Sequence, residues 1–369
     1  MGKKSKVKLD DKKINKPYVS VCTPTFNRRP FWPIIIECFR KQDYPKNLME
    51  WIIIDDGTDH IENLVKNIPQ VRYYKFDKKM TLGSKRNFMN SKATGEIIVY
   101  MDDDDYYPPE RVSHAVDVLN KNPEALCAGS SEMHIYFKHI NKLIQFGPYN
   151  KQHATAATFA FRKNLLIEHS FEENASVAEE KYFLKNYTVP FVQLDVLKTI
   201  LVFSHEHNSF DKKKLLEQPN KKYVKDSSKK IEDFIKDEKI KIFFTQDIDK
   251  LLDSYEFGKP KYKPDVLEQI KKLEQERKEY LEKMGDEDGM NTGICMQVNG
   301  ERKNLSKKEI VQLLQDYEKK IQILKNILDE KENIIKERNL IIKNYEVKYG
   351  EFSDDLIDDE ILKQINLKN

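Results

Sequence analysis

The apolar run Ile97-Ile98-Val99-Tyr100-Met101 leads without a break into Asp102-Asp103-Asp104-Asp105, and this junction limits the possible folds more than any other feature. A short continuous apolar run suits a strand covered on both faces. Carboxylates crowded at its end repel one another unless a cation neutralises them, and hard ions such as Mg²⁺ and Mn²⁺ choose oxygen ligands of this kind. In an open α/β sheet, ligands bind outside the carboxyl ends of the strands. Carboxylates two residues apart at a strand end project to one side, so Asp102 and Asp104 are expected to face a metal. Asp105 is expected to cap the helix that follows Pro108-Pro109.

The rest of the first 120 residues fits such a sheet. Strands are expected at Tyr18–Thr23, Trp51–Ile54, Val71–Phe76 and Ile97–Met101, with helices at Pro33–Gln42, Gly83–Ser91 and Pro108–Asn120 between them. That alternation is the signature of parallel βαβ units. Strand-like runs follow at Met133–Phe146 and Phe191–Phe203, interrupted by a helical stretch at Glu179–Asn186. The expected organisation is a flexible basic tail over 1–16, an α/β domain over 17–210 and a charged helical region over 211–284. A linker with a short strand over 285–305, a coiled coil over 306–350 and an acidic, polar tail over 351–369 complete it. Lys212–Lys241 and Asp265–Met284 read as helical.

The coiled coil rests on a heptad. One seam reads Leu314, Ile321, Leu328, Ile335 and Ile342, the other Ile310, Tyr317, Leu324, Lys331, Arg338 and Tyr345. Alternating spacings of four and three keep both seams on one helix face. The segment is expected to form a homo-oligomer or to dock a partner.

Charge excludes some functions. Lys and Arg total 64 against 61 Asp and Glu, so the net charge of +3 gives no case for nucleic-acid binding. The Lys-rich 212–241 stretch mixes in acids and has few aromatics, which reads as a solvated surface. The four cysteines, Cys22, Cys38, Cys127 and Cys295, form no C-x-x-C pair and read as buried thiols. No apolar stretch is long enough to span a membrane, and none follows the basic N-terminus as a signal peptide would. A cytoplasmic location is therefore expected.

Two further loops sit at strand ends. The first strand ends in Thr23-Pro24-Thr25-Phe26-Asn27-Arg28-Arg29, and the second in Asp55-Asp56-Gly57. A short polar loop at a strand's carboxyl end offers donors to a nucleotide, and a carboxylate there accepts from a base or ribose. Neither a Walker loop nor a G-x-G-x-x-G fingerprint is present.

Taken together, Thr-Pro-Thr-Phe-Asn-Arg, Asp-Asp-Gly, Gly-Ser-Lys-Arg-Asn and Asp-Asp-Asp-Asp-Tyr-Tyr-Pro-Pro, in this order, resemble the family-2 glycosyltransferases of the GT-A fold over about residues 17–210. The resemblance implies a Rossmann-like mixed sheet flanked by helices, followed here by a helical C-terminal extension. It implies that Thr23, Thr25 and Asn27 line a nucleotide pocket and that Asp55 or Asp56 holds the base, Asp55 being favoured. Arg86 would approach the diphosphate. Asp104 would bind Mn²⁺ or Mg²⁺ directly, with Asp102 on the ribose or behind the metal and Asp103 beside the nucleotide. The family's late acidic pair falls at Glu179-Glu180, where Glu replaces the usual Asp, and Glu180 would be the catalytic base. Within Phe203–Phe210, His207 would complete the metal site or bind a phosphate, His205 being the second choice.

The implied reaction is an inverting transfer from a nucleotide sugar, a UDP-sugar favoured, to a hydroxyl on a glycan, protein or small molecule. Gln152–Arg162 is expected to face that acceptor. A sugar-1-phosphate nucleotidyltransferase would need a Gly-rich loop after strand one, where TPTFNRR stands instead. A non-catalytic scaffold serving the coiled coil would be free to lose its metal ligands, yet all four aspartates remain.

Overall fold

The structure is a computed structural model that describes residues 16–217, 220–287, 295–298, 301–304 and 307–349. The expected tails over 1–16 and 351–369 lie outside these residues, except for Lys16. The chain divides into two compact units, Met1–Gln275 and Glu276–Asn369.

The first unit is built on a seven-stranded mixed sheet. In chain order it starts with β1 (Val19–Thr25), α1 (Trp32–Arg40), β2 (Met49–Asp55), α2 (Glu62–Val65), β3 (Val71–Lys75), α3 (Leu82–Lys92), β4 (Ile97–Tyr100) and α4 (Arg111–Lys121). There follow β5 (Cys127–Gly129), β6 (Met133–Phe137), β7 (Lys142–Phe146), β8 (Ala160–Arg162), α5 (Glu180–Phe183), β9 (Phe191–Gln193) and β10 (Val202–Ser204). The strand order is β3-β2-β1-β4-β8-β5-β9. β1 to β4 run parallel, and β8 enters antiparallel between β4 and β5.

Residue parity shows why this sheet is buried on both faces. Val19, Val21, Trp51, Ile53, Ile97 and Val99 belong to one core cluster with α1 and α4. The alternate residues Cys22, Ile52, Ile54, Ile98 and Tyr100 belong to another, with Met89 of α3 and Phe159, Phe171 and Phe183. A strand's side chains alternate between faces, so a continuous apolar run feeds both cores. Of the cysteines, Cys22 and Cys127 in the sheet and Cys38 on α1 are buried free thiols whose pKa burial pushes up, while the Cys295 side chain lies outside those described.

Three segments depart from the sequence-based expectation. The helix expected over 179–186 is the single turn α5, ended by Lys185, Asn186 and Tyr187, all three in the left-handed region. The run 191–203 splits between sheets: β9 edges the large one, while β10 heads a second sheet of order β10-β6-β7-β11. The stretch 212–241 is not one helix. It holds β11 (Val224–Asp226), α6 (Ile231–Phe234) and α7 (Glu238–Ile242), because β7 offers β11 an open edge and the Ser227 hydroxyl, accepting from Lys229 N–H, turns the chain. With α8 (Ile248–Asp253), these elements bury Phe234, Phe244 and Leu252 in the same core as the large sheet. Residues 211–275 thus lie within the first unit. α9 (Pro264–Glu287) follows.

The second unit contains a hairpin of β12 (Cys295–Val298) and β13 (Glu301–Asn304), and α10 (Lys307–Tyr349). Leu314, Tyr317, Ile321, Leu324, Leu328 and Ile335 of the heptad are all exposed on α10. No helix among the described residues is long and apolar enough to cross a membrane.

Candidate active site

The parallel strands β1 and β4 end side by side, and their loops open into a cleft of about 340 Å³. Thr25, Arg28, Lys85, Arg86, Asp102–Asp105 and Lys263 are among its lining residues. A larger, more open groove of about 930 Å³ runs beside Asn87, Thr94 and Arg162. None of the four aspartates lines it, so the chemistry belongs to the smaller cleft.

The four aspartates diverge in role. Asp102 donates its backbone N–H to the Tyr107 hydroxyl at 2.7 Å, and its Oδ1 lies 3.7 Å from Arg86 Nη2 without a hydrogen bond. Burial raises its pKa. Asp103 is also raised, to about 7, first by burial and then by the neighbouring Asp104 charge. Its Oδ2 has no hydrogen-bond partner among the described residues. For Asp104, burial is outweighed by contact with His205 and by the Arg28 guanidinium 3.3 Å away, which hold it well below the usual carboxylate range. Asp105 does not cap the following helix. Its Oδ1 accepts from Phe203 N–H at 3.1 Å, tying the acidic loop to β10, and α4 starts without a side-chain cap.

His205, not His207, meets Asp104: its Nε2 lies 3.3 Å from the carboxylate. Asn208 fixes the ring. Its Oδ1 accepts from His205 N–H at 2.8 Å, which turns its Nδ2 toward His205 Nε2, also at 2.8 Å. Nε2 is then an acceptor facing a carboxylate, and two acceptors so close need a proton or a cation between them. Burial pulls the His205 pKa down to about 3, which disfavours the proton. This donor set fits a divalent cation. No group of three His, Cys, Asp or Glu side chains is placed to hold a metal among the described residues, so its other ligands would come from substrate and water. His207 instead stacks on Tyr255 with centroids 6.3 Å apart, and neither ring nitrogen has a hydrogen-bond partner there.

Arg86 comes from α3, whose first turn is capped by the Thr81 hydroxyl. Gly83 lets that turn approach the following loop: its N–H donates to Ala175 O at 2.8 Å, and a Cβ there would stand 1.9 Å from Glu172 O. This contact fixes the segment leading to Glu179, which holds Arg86 of the cleft wall; neither Glu179 nor Glu180 is itself among the cleft's lining residues. The Arg86 guanidinium lies over the Tyr100 ring at 4.6 Å and donates through Nε to Glu179 at 2.9 Å, while its Nη1 has no hydrogen-bond partner. Glu180 is half-buried, and burial followed by the Glu179 charge pushes its pKa up to about 7.

The strand-one and strand-two loops are tied largely to themselves. Thr23 is fully buried, its Oγ1 accepting from Trp51 Nε1 at 2.9 Å, so it sits beneath the cleft rather than in its wall. Thr25 does line the cleft, and its Oγ1 accepts from Trp32 Nε1 at 3.2 Å. Asn27 is left-handed at φ 52°, with Oδ1 accepting from the N–H groups of Thr58 and Asp59. Asp55 accepts from Gly57 N–H, Ile61 N–H and the Tyr73 hydroxyl. Asp56 pairs with Lys85 and accepts from Met80 N–H. Both carboxylates shape the loop walls.

Sequence reasoning missed Arg28 and Lys263. Arg28 joins three segments, reaching Asp104, His207 O and Gly258 O. Lys263 arrives from a strap over Tyr255–Lys263 laid across the first loop. Asn27 Nδ2 donates to Phe257 O, Tyr255 OH donates to Asp59, and Gly258 passes so close to His207 that a Cβ would meet its ring at 2.5 Å. Lys263 is buried, donates to the Ser209 hydroxyl at 2.8 Å and has its pKa pulled well down, by burial first and then by Arg28. Its only local signal was a flanking proline, Pro264.

Residues 20–173 match the family model described as Glycosyl transferase family 2. The poly(ribitol-phosphate) beta-N-acetylglucosaminyltransferase TarS of Staphylococcus aureus is 28% identical over 108 residues, covering 28% of this chain and 19% of that protein. The putative colanic acid biosynthesis glycosyl transferase WcaA of Escherichia coli is 34% identical over 104 residues, covering 27% of this chain and 37% of that protein. The chain thus spans well under half the length of either relative. Among solved structures, S. aureus TarS 1-349 in complex with UDP-GlcNAc overlaps 51% of this chain and 59% of its own, at 21% identity and a TM-score of 0.42.

Proposed function

The chain carries a glycosyltransferase family 2 domain over residues 20–173, and on that premise we propose that it moves a sugar from a nucleoside diphosphate sugar, a UDP-sugar foremost, onto an acceptor hydroxyl with inversion. The observation that carries this reading is one cleft whose wall holds Asp104, with the buried His205 in contact with it, and cationic side chains suited to a diphosphate. The curated relative TarS, named for N-acetylglucosaminyl transfer, supports the substrate class.

In this mechanism Glu180 takes the proton of the acceptor hydroxyl as that oxygen attacks the anomeric carbon. A carboxyl titrating near neutrality is matched to that task. Glu179 holds Arg86 through Nε, so that Nη1 remains to meet a phosphate oxygen. Lys263 and Arg28 stabilise the charge that develops on the departing diphosphate. Asp104 and His205 would hold a Mn²⁺ or Mg²⁺ ion, with Asp102 beside it, which when bound neutralises that same charge. Thr25 and the loop walls set by Asn27, Asp55 and Asp56 shape the nucleotide end.

The test is to measure nucleoside diphosphate release from UDP- and GDP-sugars with and without Mn²⁺. Metal-dependent release from one nucleotide class, abolished in Asp104→Asn, supports the reading. Failure of every nucleotide to bind or turn over with metal present rejects it.

The exposed apolar seams of α10 support a second assignment, a coiled coil joining copies of this chain. Light scattering that returns a monomer mass at micromolar concentration would refute it.

A further inference from the structure

We propose that the aromatic patch of Tyr149, His153 and Tyr187 is the acceptor subsite, and that it takes the ring face of a neutral oligosaccharide. The proposal rests on the glycosyl-transfer reading and narrows its acceptor to a class.

Separate segments build this patch. The Tyr149 and His153 rings lie 4.9 Å apart, and His153 and Tyr187 lie 5.1 Å apart. Tyr223 backs Tyr149 at 5.0 Å, one face of it covered by the Lys222 ammonium. The placement is enforced. Gly147 N–H donates to Tyr223 O at 2.8 Å, and the Gln193 amide donates to the carbonyls of Lys151 and His153. Tyr149 is 41% exposed and the other rings are half-buried, so the patch is open to solvent on one side.

The patch also leads to the chemistry. Two residues beyond His153, Thr155 reaches the wall of the cleft. Tyr187 lies within the electrostatic reach of Glu180, whose charge, after burial, raises the phenol to about 12. Backbone strain collects at the same place: Ala178, Lys185, Asn186 and Tyr187 all hold left-handed φ values between 44° and 62°. Non-glycine residues persist in that region only where surrounding structure holds them, and such strain concentrates at functional sites.

The ligand class follows from the available contacts. An aromatic face packs against the C–H face of a pyranose, and uncharged polar atoms beside it meet the ring hydroxyls. Two such atoms in this segment, His153 Nδ1 and Thr155 Oγ1, are buried without hydrogen-bond partners among the described residues, and a sugar hydroxyl reaching them would supply the missing bonds. Burial lowers the His153 pKa and keeps that ring neutral. Rings and neutral polar atoms along a path toward Glu180 suit a glycan whose terminal hydroxyl is presented to the base.

The experiment uses the full chain with UDP and Mn²⁺ present. Maltohexaose, cellohexaose and chitohexaose are titrated by calorimetry, and saturation-transfer NMR reports which sugar protons touch the protein. At least one hexasaccharide is expected to bind through its ring C–H protons. Tyr149→Ala should weaken it about tenfold, which corresponds to ~1.4 kcal/mol, and Tyr149→Phe should restore it. The thermal shift produced by UDP and Mn²⁺ should be the same in all three proteins, which shows that the variants are folded. If no hexasaccharide binds while UDP with Mn²⁺ still raises the melting point, the acceptor proposal fails and the transferase reading stands. Binding that is indifferent to Tyr149→Ala also overturns it. Loss of the UDP shift in the wild type removes the premise itself.

Discussion

The Glu179 carboxylate takes the Arg86 Nε–H at 2.9 Å, while Glu180, one residue on, has its carboxyl pushed up to about 7 by burial and by the Glu179 charge. Two adjacent glutamates are thereby given different work, one holding a cation and the other titrating near neutrality.

Transfer should therefore rise with pH as Glu180 loses its proton, with a midpoint near 7, and level off above it. Glu180→Gln should lower the rate by about 10²–10⁴-fold at the plateau and leave UDP binding in place. The linked stability effect has the opposite sign. A carboxyl raised in the folded state destabilises the fold as pH climbs from its ordinary value through about 7, so Glu180→Gln should melt above the wild type at pH 8 and alike at about pH 4. Rate profiles and melting curves for the two proteins check both statements.

The proposed metal site predicts different outcomes for the two histidines. His205→Ala should abolish the Mn²⁺-dependent part of the UDP thermal shift, and His207→Ala should keep most of it, because only His205 reaches the carboxylate. Equal loss in both variants would return His207 to the metal site.

Thr23 offers a clean separation of fold from binding. Its hydroxyl accepts the Trp51 indole N–H in the core, so Thr23→Val should cost about 1–3 kcal/mol of stability by leaving that donor unsatisfied. UDP affinity, measured well below the melting point, should not change. A lower affinity at unchanged stability would place Thr23 in the pocket wall.

Lys263→Met should weaken UDP binding about tenfold or more, since a diphosphate entering the cleft would favour the charged form of this buried amine, whose pKa the empty site pulls down, and so gain a charge-assisted contact. Uridine, which lacks the phosphates, should bind both proteins equally. Calorimetry with the two ligands distinguishes this from a general loosening of the strap.

The large sheet was legible because its strands advertise themselves. IIVYM and WIII are continuous apolar runs, and each strand's two parities feed two cores, which a sequence pattern records directly. Asp104 was legible for the same reason, as part of an acidic run at a strand end. The sequence does not separate His205 from His207: two residues apart, they share a face in a strand, and the resemblance alone puts His207 first. The choice between them is made by Asn208, whose amide orients one ring, and no local pattern announces such a partner. Lys212–Lys241 misled for a related reason: its lysines mask the few apolar residues that pack, and the free edge of β7 that captures β11 lies far away in sequence. Lys263 is the extreme case, a charged residue in a Lys-rich stretch whose burial is decided by the loop it crosses.

The strap that pins Phe257 O to Asn27 joins residues 230 positions apart. A chain emerging from the ribosome completes its entire seven-stranded sheet before that contact becomes possible, so for part of its synthesis it has a folded floor and no finished cleft. Nascent chains stalled short of residue 263 should be stable and inert, and donor hydrolysis should switch on only when the strap clears the exit tunnel. The strap and the start of α9, which adds Val266 to the cleft wall, are thus among the last parts of the first unit to be made, and the proposed donor site is incomplete until both are in place.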